Sequence, residues 1–175
     1  MPTFTKCDQD VYDLLAEIID KHHGDLNEAE VTFDILMAHA KVDDGGEVQG
    51  PALKLHGYPA AAIVSINPLK RRVAGAADCL LEIDGDEWPN YSEERRRALL
   101  DHELTHVVIQ RDQEGNIKSD DCGRPKVKLR LHDIILGGFS EIAKRYGDDS
   151  FEVQSARQIV DEFGQVLMPW MESVS

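Results

Sequence analysis

Long apolar runs are missing from this chain. None approaches the roughly 20 residues a helix needs to cross a bilayer, so no membrane span is expected. Cysteine is sparse as well. Cys7, Cys79 and Cys122 are too few and too scattered for a disulfide framework. None belongs to a C-x-x-C pair, which argues against a thiolate-rich structural zinc site. The opening MPTFTKCDQD has no basic stretch followed by an apolar one, so no secretory signal is expected and the cytoplasm is the expected location. There is no linker rich in Pro, Gly or Ser, no internal repeat and no low-complexity tract. A single domain spanning residues 1–175 is the expectation, since that length can bury a substantial core.

Positive charge is also short. Asp plus Glu number 33 against 19 Lys plus Arg, a formal net charge of −14. Such a surface repels phosphate backbones and anionic membranes unless its basic residues cluster. The clusters are small: LKRR (Leu69 to Arg72), RRR (Arg95 to Arg97) and RPKVKLR (Arg124 to Arg130). The last alternates basic and apolar residues, as a strand with one solvated face does. Nucleic acid is therefore not an expected partner.

What the chain does contain is a mixture of helical and extended patterns. Val11, Leu14, Leu15, Ile18 and Ile19 recur at spacings of three and four, which predicts an amphipathic helix over 8–23, with Asp8 or Asp10 at its start and Gly24 ending it. EVTFDILMAHA predicts a strand from Glu30 to Ala40, and the turn-rich 41–57 a loop with a short extended piece at Ala52 to Leu55. AAAIVSINPL predicts a buried strand stopped by Pro68, and DCLLEIDGDEW a third strand near the sheet edge. Ser92 caps a helix from Glu93 to about Gln110. A polar loop follows, then a half-buried strand KVKLRL with Val127, Leu129 and Leu131 inward. Asp133 is expected to cap a helix stopping at Gly147, and Phe151 to Val166 form a last helix. Without regular βαβ alternation, the fold class is α+β.

The helix from Glu93 carries the chemistry. Its middle reads His102-Glu103-Leu104-Thr105-His106, an H-E-x-x-H motif. Residues four apart lie on one helix face, so both imidazoles can meet one ion, while Glu103 sits about 100° round the axis. That spacing supplies two ligands and a general base from one rigid element, the arrangement of metal-activated water chemistry. Leu99, Leu100, Leu104, Val107, Val108 and Ile109 make the helix apolar nearly all round. Two histidines and a glutamate buried in it need a partner, and Zn2+ is the expected one. A catalytic zinc needs a third protein ligand. His132, where KVKLRL meets the next helix, is the choice for that role; Glu141, Asp133, Asp120, Asp121 and Cys122 are the rivals. Asp133 reads more simply as a cap or a partner to a ligand. The oxyanion-stabilising residue stays open among Tyr91, Tyr146 and Arg130.

With these residues in place, ALLDHELTHV, the basic alternating strand and LHDIILGGFSEIAKRYG together resemble the phage metallopeptidase family, itself similar to SprT-like zinc peptidases. The resemblance covers roughly Ile63 to Gly147. It implies a zincin-like fold: a small mixed or antiparallel sheet packed on helices around a central H-E-x-x-H helix. It also implies a zinc-dependent peptidase acting on a protein or peptide. His102, His106 and His132 match its ligands, Glu103 its general base, and Phe139 the aromatic beyond the third histidine. The chain departs from the family in having Ile134 to Gly138 where acidic residues often follow the His-Asp pair, and in lacking a zinc-ribbon tail and a basic DNA-binding surface. Two other readings compete. One is a non-catalytic zincin-like protein that binds a host protein through its acidic surface. The other is a peptide-deformylase-like amide hydrolase with Cys79 as third ligand.

Overall fold

The structure is a computed structural model that describes residues 2–132 and 138–167, with side chains described as far as Asp161. Asp133, named above as a helix cap and a rival ligand, lies outside the described residues.

Strand β1 (Thr3–Lys6) precedes helices α1 (Gln9–His22) and α2 (Gly24–Glu28). Strand β2 (Phe33–His39) follows, then a two-residue-stranded hairpin, β3 (Lys54–Leu55) and β4 (Tyr58–Pro59). Next come β5 (Ala62–Ile66), α3 (Leu69–Val73), β6 (Cys79–Asp84) and α4 (Glu93–His106). The remainder is β7 (Val107–Ile109), β8 (Val127–Leu129), α5 (Ser140–Tyr146) and α6 (Phe151–Leu167). The protein is α+β, with a mixed four-stranded sheet ordered β1-β2-β6-β5. β1 and β2 are antiparallel, β2 and β6 parallel, and β6 and β5 antiparallel. No helix among the described residues is long and apolar enough to cross a membrane.

α1 forms as its periodicity predicts, with Val11, Leu15 and Ile18 buried. It ends at His22, just ahead of Gly24 as expected. The chain breaks at His23 and restarts at Gly24 as α2, which seats Leu26 in the core. The sheet corrects one expectation: β6, expected near the edge, is central. β5 is buried as expected, with Ala62 and Val64 in the core, although it is an edge strand. Cys79, Leu81 and Ile83 of β6 face the main core. Its polar-looking other face is sheltered by Ala38, Ala52 and Leu53, which form a second small apolar cluster with Ala60 and Ile63 packed against it. The alternation that reads as an edge strand thus reflects two unequal cores. On β5, the outer edge is occupied by a helix: Val64 N–H donates to Glu103 Oε2 of α4 at 2.9 Å.

α4 begins as expected, with Ser92 Oγ accepting from Arg95 N–H at 3.2 Å. It is buried nearly all round from Ala98 to Thr105. It ends at His106 rather than near Gln110, because the β-branched run Val107-Val108-Ile109 is taken up as β7 against β8. β8 is shorter than KVKLRL implied. Only Val127 is buried; Leu129 is 43% and Leu131 90% exposed, because beyond Val127 the strand runs along an open cleft instead of a core. Between β7 and β8, and again between β2 and β3, one turn recurs. Asp43, Asp112 and Asp120 each accept the N–H groups two and four residues ahead on Oδ1. The glycine at the third place (Gly46, Gly115, Gly123) takes the left-handed φ of 86°, 89° and 77° that the turn requires.

α5 starts at Ser140, later than the Asp133 cap implied, and ends as expected at Gly147, whose φ is 52°. Asp78 ties the starts of β2 and β6 to α3 and to the chain leading into β8. It is 1% exposed, accepts from Thr32 N–H and Oγ1–H, and pairs with Arg72 and Arg124. Burial alone would raise its pKa; the Arg124, Thr32 and Arg72 bonds overcome that and hold the carboxyl at about 2.

Candidate metal centre

α4 delivers His102 and His106 from its last turns, and the chain leaving β8 brings His132 to them. One ligand nitrogen from each lies within 4.8 Å of the other two, and among the described residues this is the group with metal-binding spacing. The other ring nitrogens of the helical pair are tethered. His102 Nδ1–H donates to Glu152 Oε1 of α6 at 2.7 Å, and His106 Nδ1–H donates to the Arg130 carbonyl at 2.8 Å. These bonds fix both tautomers so that Nε2 carries the lone pair. His132 Nε2 stands 3.1 Å from His102 Nε2. Two lone pairs cannot face each other at that distance, so a proton or a cation must lie between them. Two nitrogens at about 2.0–2.1 Å on a tetrahedral ion stand roughly 3.3 Å apart, close to what is seen. The donor set fits a metal ion.

Phe139 closes the rear of the cluster. It is fully buried, and its ring centroid lies 5.1, 4.8 and 5.1 Å from those of His102, His106 and His132. Glu152, the tether of His102, also accepts from Phe139 N–H at 3.2 Å on the same oxygen, while its Oε2 is buried with no partner among the described residues. Gly138 is required beside it: a Cβ there would stand 2.2 Å from Glu152 Cγ.

Glu103 is 6% exposed, and burial raises its pKa against the lowering effects of His102 and the Val64 N–H. For His102, burial opposes protonation, but the bond to Glu152 and the nearby carboxylates prevail and raise its pKa. His106 moves the other way, to about 4, through burial and the neighbouring His102, His132 and Arg130 charges. A cleft of about 520 Å³ opens over the cluster, with Glu103, the three histidines and residues of β5 and β8 in its walls.

The rival residues fall elsewhere. Glu141 pairs with Arg130 at 2.5 Å. Asp120 pairs with Arg72 and anchors its turn, where Cys122 also sits. Cys79 is wholly buried in the core, its thiol pushed up to about 12 by burial and the Asp78 charge. It does not join the histidines, so the deformylase-like ligand set is not assembled. Among the oxyanion candidates, Tyr146 gives its hydroxyl to Asp101 at 2.8 Å and Tyr91 packs on Phe151. Arg130 does line the cleft, its guanidinium bonded to the Thr105 carbonyl and lying over Phe139.

Sequence reasoning missed Glu152 and Asp101. Asp101 is fully buried and joins His23 (2.7 Å), Arg145 and Tyr146, clamping α4 to α5 and to the α1–α2 junction. A carboxylate next to the motif's first histidine was a readable signal; a glutamate 50 residues downstream was not.

An α+β scaffold that presents three imidazoles and a buried glutamate to one cleft defines a candidate metalloprotein of the H-E-x-x-H class. The sequence profile of the family described as "Putative phage metallopeptidase" matches residues 3–164. The chain belongs to that family. No curated protein and no solved structure matches it.

Proposed function

We propose that the protein is a zinc-dependent peptidase of zincin-like build, acting as a single domain, with His102, His106 and His132 as ligands and Glu103 as general base. The observation that carries the reading is the convergence of three imidazoles beside a buried glutamate of the same helix, at the mouth of a cleft bordered by an edge strand. A three-nitrogen donor set suits zinc better than magnesium or calcium, which prefer oxygen. When bound, zinc supplies Lewis acidity, acidifying water and polarising a carbonyl oxygen.

The chain's own groups do the rest. Glu152 Oε1 and the Arg130 carbonyl keep Nε2 of His102 and His106 available as lone-pair donors. Glu103 Oε2 is anchored by Val64 N–H, which leaves Oε1 to take the proton from the attacking water and pass it to the leaving amine. Burial raises the Glu103 pKa, which makes its carboxylate a stronger proton acceptor than an exposed one. Ala62, Ile63 and Val64 of β5 line the cleft, so a bound polypeptide lies against that strand.

Elemental analysis of purified protein and of His106→Ala tests the metal. Glu103→Gln is expected to keep the metal while turnover of an unfolded protein substrate falls roughly 10²- to 10⁴-fold. Full activity in that variant removes the mechanism. A metal-free protein whose melting temperature ignores chelators would instead fit the non-catalytic binding protein.

A further inference from the structure

We propose that the cleft beside the histidines selects an extended peptide with a large apolar side chain next to the scissile bond; this deepens the peptidase reading and rests on it.

The cleft is unlike the rest of the surface. The chain carries 33 acidic residues, yet the described residues give the cleft one carboxylate, Glu103, already bound to Val64 N–H. The Arg130 charge is engaged by Glu141, the Thr105 carbonyl and the Phe139 ring. Apart from the histidines, a charged substrate side chain would lose its water here without gaining a counter-charge. What the cleft does offer is leucine. Leu55 (48% exposed), Leu129 (43%) and Leu131 (90%) all line it. A single exposed leucine is ordinary; three around one opening form a patch that an apolar group can cover.

The Leu55 wall is built to keep its place. The β3–β4 hairpin turns through His56 and Gly57, with φ of 51° and 90°, the paired left-handed geometry of a tight two-residue loop. Its base is closed by Ala60 N–H donating to the Leu53 carbonyl at 3.2 Å. Histidine tolerates this conformation, and the turn fixes the register in which Leu55 faces Tyr58. The hairpin therefore presents Leu55 as an edge of the cleft that Leu129 and Leu131 also line.

The test uses fluorescein-labelled hexapeptides that differ only at one central position, carrying Leu, Phe, Asp or Lys. On the zinc-loaded Glu103→Gln variant, the Leu and Phe peptides are expected to bind at least roughly tenfold more tightly than the Asp and Lys peptides. The wild-type protein is expected to show the same order in kcat/KM. Leu55→Asp is expected to lose the Leu preference and to gain on the Lys peptide, a reversal that simple misfolding cannot produce. Cleavage without any side-chain preference overturns this inference and leaves the peptidase standing. Apolar-selective binding without cleavage supports the cleft and overturns the peptidase. Neither binding nor cleavage overturns both, and a Leu55→Asp variant that weakens all four peptides equally removes the hairpin from selection.

Discussion

Replacing Glu152 with alanine would remove the oxygen that holds the His102 ring. The Nδ1···Oε1 distance is 2.7 Å, and the same oxygen accepts from Phe139 N–H, so one side chain fixes both a proposed ligand and the aromatic behind it. Loss of such a partner to a metal-bound histidine weakens metal affinity roughly 10- to 100-fold, or about 1.4 to 2.8 kcal/mol. Glu152→Gln keeps an oxygen for His102 but puts an amide NH2 where Oε2 is buried with no partner among the described residues, so its loss should be smaller, about tenfold. Gly138→Ala reaches the same contact from outside, since its Cβ would stand 2.2 Å from Glu152 Cγ. That variant should resemble Glu152→Ala. Gln154→Ala is the control: it lies on the same helix but bonds Arg95 instead. The assay is competition for zinc with a chromogenic chelator, on variants whose far-UV circular dichroism matches wild type. A Glu152→Ala protein with wild-type affinity, or a Gln154→Ala protein that loses as much, would refute the reasoning.

Asp101→Ala leaves His23, Arg145 and Tyr146 around an empty buried position and should destabilise the fold by about 3 to 5 kcal/mol in urea titration; a loss below about 1 kcal/mol would show that the network is slack. Gly85→Ala places a Cβ 2.6 Å from His39 Cε1 and should lower stability by about 1 to 3 kcal/mol, read from the thermal midpoint. Asp78 has a folded pKa near 2, below its ordinary 3.8, so its contribution is complete above about pH 4 and is lost as pH falls toward 2. That contribution is roughly 2 kcal/mol, and the gap in urea midpoint between wild type and Asp78→Asn should narrow between pH 6 and pH 2.5. A constant gap would mean that the ionised carboxylate is not what stabilises.

The helices were easier to read than the sheet. α1, the Ser92 cap and the Gly147 stop follow from spacing and capping chemistry local to each segment. The order of β5 and β6 was not local. Glu82 and Asp84 look like an exposed face until residues from 41–60 are seen to cover it, a long-range fact that alternation cannot carry. The end of α4 was misplaced because Val107, Val108 and Ile109 fit an apolar helix face as well as a strand, and only pairing with β8 decides. In the candidate site, His102, Glu103 and His106 are legible because one helix turn brings them together. His132 was chosen for its place at a strand end. Glu152 was invisible, since nothing in FEVQSARQIV distinguishes a buried tether from a solvated glutamate.

The β7–β8 ladder works as a measuring gauge. Val107 pairs with Leu129, and Arg130 N–H donates to the His106 carbonyl at 2.8 Å while His106 Nδ1–H donates back to the Arg130 carbonyl. Two proposed ligands far apart in the chain are thereby indexed to each other by backbone pairing, independently of the path between them. Extra residues spliced into the turns at Gln113 or Asp121 would leave His132 at its station. A single residue inserted between Leu129 and His132 would instead shift that imidazole out of step with His106.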